Sequence, residues 1–185
     1  VNKYDLGWSD EWNHLVLNND LIARITVVHR GLCRALTEAG EVNVYLTGKF
    51  QMDVLDAAEM PATGDWVLLN PPFIDQQDLP AATLKELLPR RTKLSRVGAG
   101  TKAYEQVIAA NVDVAFIVTS ANSDFSVNRV RRYVLLANNG GVTPIVVVSK
   151  SDLLTLYQKT DLKNEILKTF PELEIIFVSS NTGEG

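Results

Sequence analysis

A short apolar strand ending at Val148 runs directly into Ser149-Lys150-Ser151-Asp152, and about one crossover unit later a second strand, Glu174 to Val178, ends in Ser179-Ser180-Asn181-Thr182-Gly183. Two apolar strands that each stop at a polar loop, with a helical stretch between them, specify a parallel βαβ unit and leave few alternatives. The residues before them extend the pattern. Val112 to Ser120 is a near-continuous apolar run, as expected of a parallel strand covered on both faces. Val130, Val134 and Ala137 then recur at helical spacing, and Asn139-Gly140-Gly141 closes that helix. Asp161 is placed to cap a second helix carrying Leu162, Ile166, Leu167 and Phe170, which Pro171 terminates. Three strands make a thin sheet, and the edge beside Val112 to Ser120 would be apolar and unpaired, a reason to expect more strands on that side.

The first half of the chain has a different period. Ile22 to Val28, Leu32 to Leu36, Val42 to Leu46, Trp66 to Leu69 and Thr83 to Leu88 read as short strands separated by the turns Arg30-Gly31, Ala39-Gly40 and Pro61-Ala62-Thr63-Gly64-Asp65. Five short strands in about 70 residues fit a small closed barrel better than a sandwich. The expected organisation is a lead-in over 1–20, a barrel over 21–90, a basic linker with a helix leading out of it over 91–111, and the α/β region over 112–185.

Composition removes several function classes. No apolar run approaches the roughly 20 residues that span a bilayer, and the N-terminus lacks the basic-then-apolar grading of a signal peptide, so the expectation is a cytoplasmic chain with no membrane partner. Cys33 is the only cysteine, and with only His14 and His29 beside it no Cys/His zinc set can be assembled. The expectation is no metal site in these residues and a Cys33 that packs as a small hydrophobe. A formal net charge of -4 argues against indiscriminate coating of nucleic acid. Locally, however, Lys85, Arg90, Arg91, Lys93, Arg96 and Lys102 face only Glu86 in 18 residues. That run, with Arg24, Arg30 and Arg34, could follow an RNA backbone, while Tyr45 and Trp66 are candidates to stack bases. For Trp66 a place in the core is the stronger expectation.

In an open parallel sheet a ligand sits beyond the carboxyl ends of the strands, where Ser149 to Leu154 and Ser179 to Gly185 emerge. Taken alone, Ser-Lys-Ser-Asp is a polar strand-to-helix turn with an N-capping Asp. In register with a second such loop it acquires a more specific chemistry. An ionised Asp152 offers two acceptors that match the N1–H and exocyclic amine of guanine, a donor pair adenine does not present. Lys150 can lay its stem over the purine face. The backbone N–H of Ser180 can donate to the guanine O6 where a small side chain allows close approach. Yet no G-x-x-x-x-G-K-[ST] phosphate loop occurs anywhere in the 185 residues.

The paired loops, with a barrel in front of them, resemble the circularly permuted GTPases of the ribosome small-subunit-dependent family, over nearly the whole chain. Further likeness lies in Tyr4 to Trp8, Ala23 to Leu32, Thr63-Gly64-Asp65-Trp66-Val67, Leu88 to Arg96, Gln106 to Asp113, Phe116 to Ser120 and Asp124-Phe125. The resemblance implies an all-β barrel of the OB type, then a partial three-layer α/β parallel sheet of the P-loop GTPase kind, whose base-reading motifs precede the phosphate loop and switches. It also implies a zinc-binding C-terminal domain, GTP or GDP with Mg²⁺, the small ribosomal subunit and its rRNA as partners, and GTP hydrolysis in late maturation of that subunit. Position by position, Lys150 and Asp152 match the Lys and Asp of Asn-Lys-x-Asp, and Ser179-Ser180 match Ser-Ala. Ser149 departs from the usual Asn, which removes a hydrogen bond worth on the order of 1 kcal/mol.

By this reading Ser149, Lys150, Asp152, Ser179 and Ser180 bind guanine, and Arg24, Arg30, Arg34, Arg90, Arg91, Lys93 and Arg96 serve RNA. No catalytic residue is assigned, because the sequence stops before the phosphate loop, the magnesium ligands, the switches and the zinc cluster, so these residues alone are expected not to hydrolyse GTP. The competing classes are a non-catalytic RNA-binding barrel with a structural α/β partner, and a doubly wound enzyme using another nucleotide.

Overall fold

Every strand expected of the barrel forms in the computed structural model, which describes residues 2–17, 20–29, 31–54, 56–76, 79–98, 104–122 and 125–185. The chain divides into two units, 1–111 and 112–185.

In the first unit, β1 (Leu21–His29), β2 (Leu32–Thr37) and β3 (Gly40–Tyr45) form an antiparallel meander. A short helix α1 (Gly48–Asp53), capped by the Thr47 hydroxyl, leads to β4 (Trp66–Leu69), which returns antiparallel to β1. The two-residue β5 (Phe73–Ile74) folds back on β6 (Pro80–Leu87), and β6 pairs with both β4 and β3. The parallel register of Asn43, Val44 and Tyr45 on Ala81, Ala82 and Thr83 closes the sheet, so β1, β2, β3, β4 and β6 make a five-stranded barrel of the OB type. Small and β-branched residues, with Leu84, fill it: Ala23, Ile25, Cys33, Ala35, Val42, Val44, Val67 and Ala82. Burial pushes the Cys33 thiol up to about 11, in keeping with a packing role.

All four residues of β4 are buried because its two faces serve two cores. Val67 and Leu69 point into the barrel, whereas Trp66 and Leu68 join Trp8, Trp12 and Leu88 in a second cluster outside it. The expectation of a core Trp66 is met. The residues read as a lead-in supply two of the three rings, Trp8 from the segment before a 3₁₀ turn at Asp10–Leu15 and Trp12 from the turn itself, with centroids 5.0–6.1 Å apart.

One expectation is overturned between the two main domains. Among the described residues of 91–111 there is no helix; β7 (Lys93–Val97) and β8 (Glu105–Ala110) instead pair as an antiparallel hairpin. Exposure along β8 alternates with period two, and Val107 and Ile108 are β-branched, which favours a strand. The hairpin docks on the barrel turn through Ala110 N–H donating to Thr63 O at 2.8 Å. Gly64 makes that contact possible: its φ is +91°, and a Cβ there would lie 2.1 Å from Ala110 O.

The second unit runs β9 (Val114–Ser120), α2 (Val127–Asn139), β10 (Thr143–Ser149), α3 (Leu156–Leu167) and β11 (Glu174–Phe177), with parallel sheet order β9-β10-β11. Val130, Val134, Ala137 and Ile166 from the helices bury against Val146 and Val148. Residues of both helices share that one cluster, so both helices lie on one face. Val114, Phe116 and Val118 of β9 are 44%, 66% and 68% exposed on the other. Among the described residues the sheet therefore has cover on one face, where the sequence reads as a strand covered on both. An apolar run reports a strand's capacity for burial and not which partner fills it. The α3 cap also differs from expectation. Thr155, not Asp161, caps it, in a reciprocal box with Gln158 that the Thr-x-x-Gln spacing already encodes.

Candidate guanine-reading site

Ser149, the last residue of β10, is anchored across the sheet, its hydroxyl donating to Thr119 O at 2.9 Å. Lys150 then takes the left-handed conformation (φ 55°, ψ 40°), one of two non-glycine residues among those described with positive φ. A lysine held there costs of order 1 kcal/mol or more and persists only where neighbours enforce it. Here the enforcement comes from Ser151, fully buried, whose N–H donates to Val178 O at 3.1 Å and so fastens the first loop to the end of the second strand. The reversal leaves Lys150 and Asp152 exposed on the outer side of a 3₁₀ turn, Ser151–Leu153.

The second loop is built around Ser179, which is buried. Its hydroxyl accepts from the N–H groups of Asn181 (3.2 Å) and Thr182 (3.3 Å) and donates to Asp152 Oδ1 at 2.5 Å. A hydroxyl has one proton and two lone pairs, so all three are used and its proton has a fixed direction. Asn181 Nδ2 donates to the other carboxylate oxygen at 3.2 Å. Ser180 is exposed at the start of a turn that Gly183 N–H closes onto Ser179 O at 2.9 Å.

Asp152 thus projects into solvent with one side-chain donor on each oxygen, and a carboxylate keeps acceptor capacity beyond those two. The Ser179 hydroxyl, then the Asn181 amide, hold its carboxyl below the usual carboxylate range, so it is ionised at neutral pH. The arrangement can accept two adjacent N–H donors from a planar ring, while Lys150 is exposed beside it. The structure brings Lys150, Asp152, Ser179 and Ser180 together; Ser149 is used within the sheet. Sequence reasoning missed Asn181 and Glu184. Glu184 accepts from Ser151 Oγ at 2.5 Å and from Lys159 Nζ at 2.7 Å. Both lie within the second polar loop, where the residue types alone do not say which side chains turn inward.

The basic residues separate into two groups. Arg90 is committed inside the first unit: Nε and Nη2 each donate to the fully buried Asp65 at 2.7 Å, Nη2 also reaches Met60 O at 2.7 Å, and Nη1 reaches Ala58 O. Arg24 bonds to Leu6 O and to Asn111 O, with its guanidinium 5.7 Å from the centre of the Trp66 ring. These two do structural work, which their place in a basic run conceals. Lys93 pairs with Glu105 at 2.8 Å. Arg34, Arg91 and Arg96 are exposed, Arg91 lying 3.9 Å from Glu11 and Arg96 bonding Gln106 at 3.2 Å. Arg30 lies outside the described residues. Tyr45 stacks on Phe73 at 6.3 Å and donates to Asp75 at 3.2 Å.

Among the described residues no three His, Cys, Asp or Glu side chains gather into a group that could hold a metal ion. No described helix is long and apolar enough to cross a membrane.

A barrel of the OB type followed by a parallel sheet with two polar loops at its carboxyl edge is the architecture of a permuted GTPase. The family model for the RsgA GTPase matches residues 87–185, and the chain belongs to that family. It is 36% identical over 153 residues to the small ribosomal subunit biogenesis GTPase RsgA 2 of Lactiplantibacillus plantarum, covering 83% of this chain and 42% of that protein. It is 32% identical over 189 residues to the small ribosomal subunit biogenesis GTPase RsgA of Opitutus terrae, covering 97% and 51%. The crystal structure of YjeQ from Thermotoga maritima superposes with a TM-score of 0.64 at 20% identity, over 90% of this chain and 54% of that one. YloQ, described as a circularly permuted GTPase, superposes with a TM-score of 0.61 at 20% identity, over 89% and 53%. The chain thus spans about half the length of these relatives.

Proposed function

We propose that this chain is the guanine-reading and RNA-docking part of a GTPase acting in biogenesis of the small ribosomal subunit. The observation that carries the proposal is Asp152, held ionised between two loops with one side-chain donor on each oxygen and lone pairs to spare. Guanine N1–H and its exocyclic amine meet those lone pairs, Ser180 N–H donates to O6, and the Lys150 stem covers the ring. Adenine offers N1 as an acceptor at the same place, and two acceptors face to face repel. The names of the relatives from L. plantarum and O. terrae supply the cellular process. Calorimetric titration of the chain with GDP and with ADP tests the reading: GDP binds and ADP does not, and equal heats from the two contradict it.

Hydrolysis requires more than base recognition. Phosphoryl transfer needs phosphates cradled by backbone N–H groups and a lysine, a magnesium ion and an oriented water. The 185 residues contain no G-x-x-x-x-G-K-[ST] loop, so by themselves they bind without turning over. Phosphate release from GTP at stoichiometric or greater yield would overturn that statement. For the barrel, exposed Arg34, Arg91 and Arg96 favour a phosphate-contacting RNA surface. Binding of the chain to small-subunit rRNA should weaken steeply with salt and weaken further in Arg34→Ala and Arg96→Ala, but not through any change in fold.

A further inference from the structure

Glu184 touches none of the atoms that would face a base, yet it is the side chain that ties the two loops together. Its Oε2 accepts from the hydroxyl of Ser151, the buried residue between Lys150 and Asp152, at 2.5 Å. Both of its oxygens lie 2.7 Å from Lys159 Nζ, on the first turns of α3. Its own carbonyl accepts from Ser179 N–H at 2.8 Å, closing a short bridge across the second loop. One residue of the second loop therefore holds the middle of the first loop, the root of the second, and the helix that follows the first.

The electrical arrangement is specific. Asp152 is close enough to disfavour the charge on Glu184, and Lys159 favours the ionised form of both. The Lys159 side chain is only 17% exposed, so its contact with Glu184 is less screened than an ordinary surface pair. Remove Lys159, and Glu184 stands beside Asp152 without compensation. Remove Glu184, and the buried Ser151 hydroxyl loses its acceptor, while the strained Lys150 backbone loses one of the contacts that enforce it.

We propose that Glu184 and Lys159 form a positioning pair that sets the mutual placement of Lys150, Asp152 and Ser179, and thereby guanine affinity, without contacting the base. The proposal rests on the guanine reading given above. Recognition of a planar ring by a carboxylate on one loop and a backbone N–H on the other depends on the distance between the loops, which is what this pair holds.

The test follows guanosine binding by NMR on the full 185-residue chain, using the backbone amides of Ser151, Asp152 and Ser180. Glu184→Ala and Lys159→Ala should each weaken guanosine binding roughly three- to tenfold, with the double variant no weaker than the worse single one, as for two groups acting through one contact. Glu184→Gln keeps an acceptor for Ser151 and should recover part of the loss, which a generic loss of stability would not produce. Circular dichroism confirms that each variant is folded. If the wild-type chain binds guanosine and Glu184→Ala binds it equally well, the positioning role is wrong and the base reading stands. If the wild-type chain shows no preference for guanosine over adenosine, both fall together.

Discussion

Arg90 grips Asp65 with two parallel hydrogen bonds of 2.7 Å, and Asp65 is completely withdrawn from solvent. The same carboxylate accepts from Ala62 N–H at 2.7 Å, so the pair fixes the Pro61–Asp65 turn against the strand exit at Pro89. Removing one member of a buried, hydrogen-bonded charge pair costs about 3–5 kcal/mol, because the survivor is left uncompensated. Arg90→Ala should therefore lower the denaturant midpoint of the barrel, followed by tryptophan fluorescence. Arg90→Lys should recover only part, since an ammonium cannot reproduce the planar fork.

Gly64 sits at the neighbouring point of that turn with positive φ and with Ala110 O where a Cβ would fall. Gly64→Ala combines left-handed strain, about 1–2 kcal/mol, with a backbone clash that only separation of the hairpin from the barrel relieves. Thermal unfolding should drop by several degrees, and amide exchange should rise first at Thr63 and Ala110.

Trp12 is 2% exposed and donates its indole N–H to Pro89 O at 3.0 Å. Trp12→Ala should cost roughly 3–5 kcal/mol, as for other large-to-small core changes, and a variant lacking residues 1–16 should unfold the barrel as readily. An unchanged melting temperature after that truncation would show that the N-terminal segment is dispensable for the barrel.

The pH response of the proposed guanine site follows from two depressed carboxyls. Asp152 is held below its ordinary 3.8, chiefly by the Ser179 hydroxyl, and Glu184 below its ordinary 4.5, chiefly by Lys159. A group whose folded value is depressed contributes while it is ionised, fully so above its ordinary value, and the contribution is lost as pH falls through the folded value. Guanosine binding should accordingly be flat from neutral pH down to roughly pH 5 and decline only below the ordinary carboxylate range. Asn181→Ala, which removes one donor from Asp152, should move the onset of that decline upwards. A loss of binding centred near pH 6.5 would point to a histidine instead.

What was legible in the sequence was whatever depends on periodicity. The five barrel strands and the β9-α2-β10-α3-β11 alternation follow from apolar spacing, and both polar loops fall where strands end. The hairpin at Lys93–Val97 and Glu105–Ala110 was hidden because a basic run with Gly98 and Gly100 reads as a linker when the pairing partner is not known. Arg90 and Arg24 read as RNA-facing cations because a one-dimensional charge run does not show that Asp65 lies buried beside one guanidinium or Trp66 beneath the other. Glu184 was invisible for a related reason. Its role arises from folding a loop back onto Ser151 and Lys159, a contact between positions 33 and 25 residues apart.

The central claim is that Asp152 reads guanine, and replacing one atom group tests it most directly. In Asp152→Asn the carboxamide oxygen still accepts from N1–H, while its NH₂ now meets the base at C2, where guanine carries an amine and xanthine a carbonyl oxygen. Titration of wild-type and Asp152→Asn chains with guanosine and xanthosine, followed at the Ser180 amide, should show guanosine preferred by the first and xanthosine by the second. If the substitution leaves the order of preference unchanged, Asp152 does not read the base and the assignment of these loops is wrong.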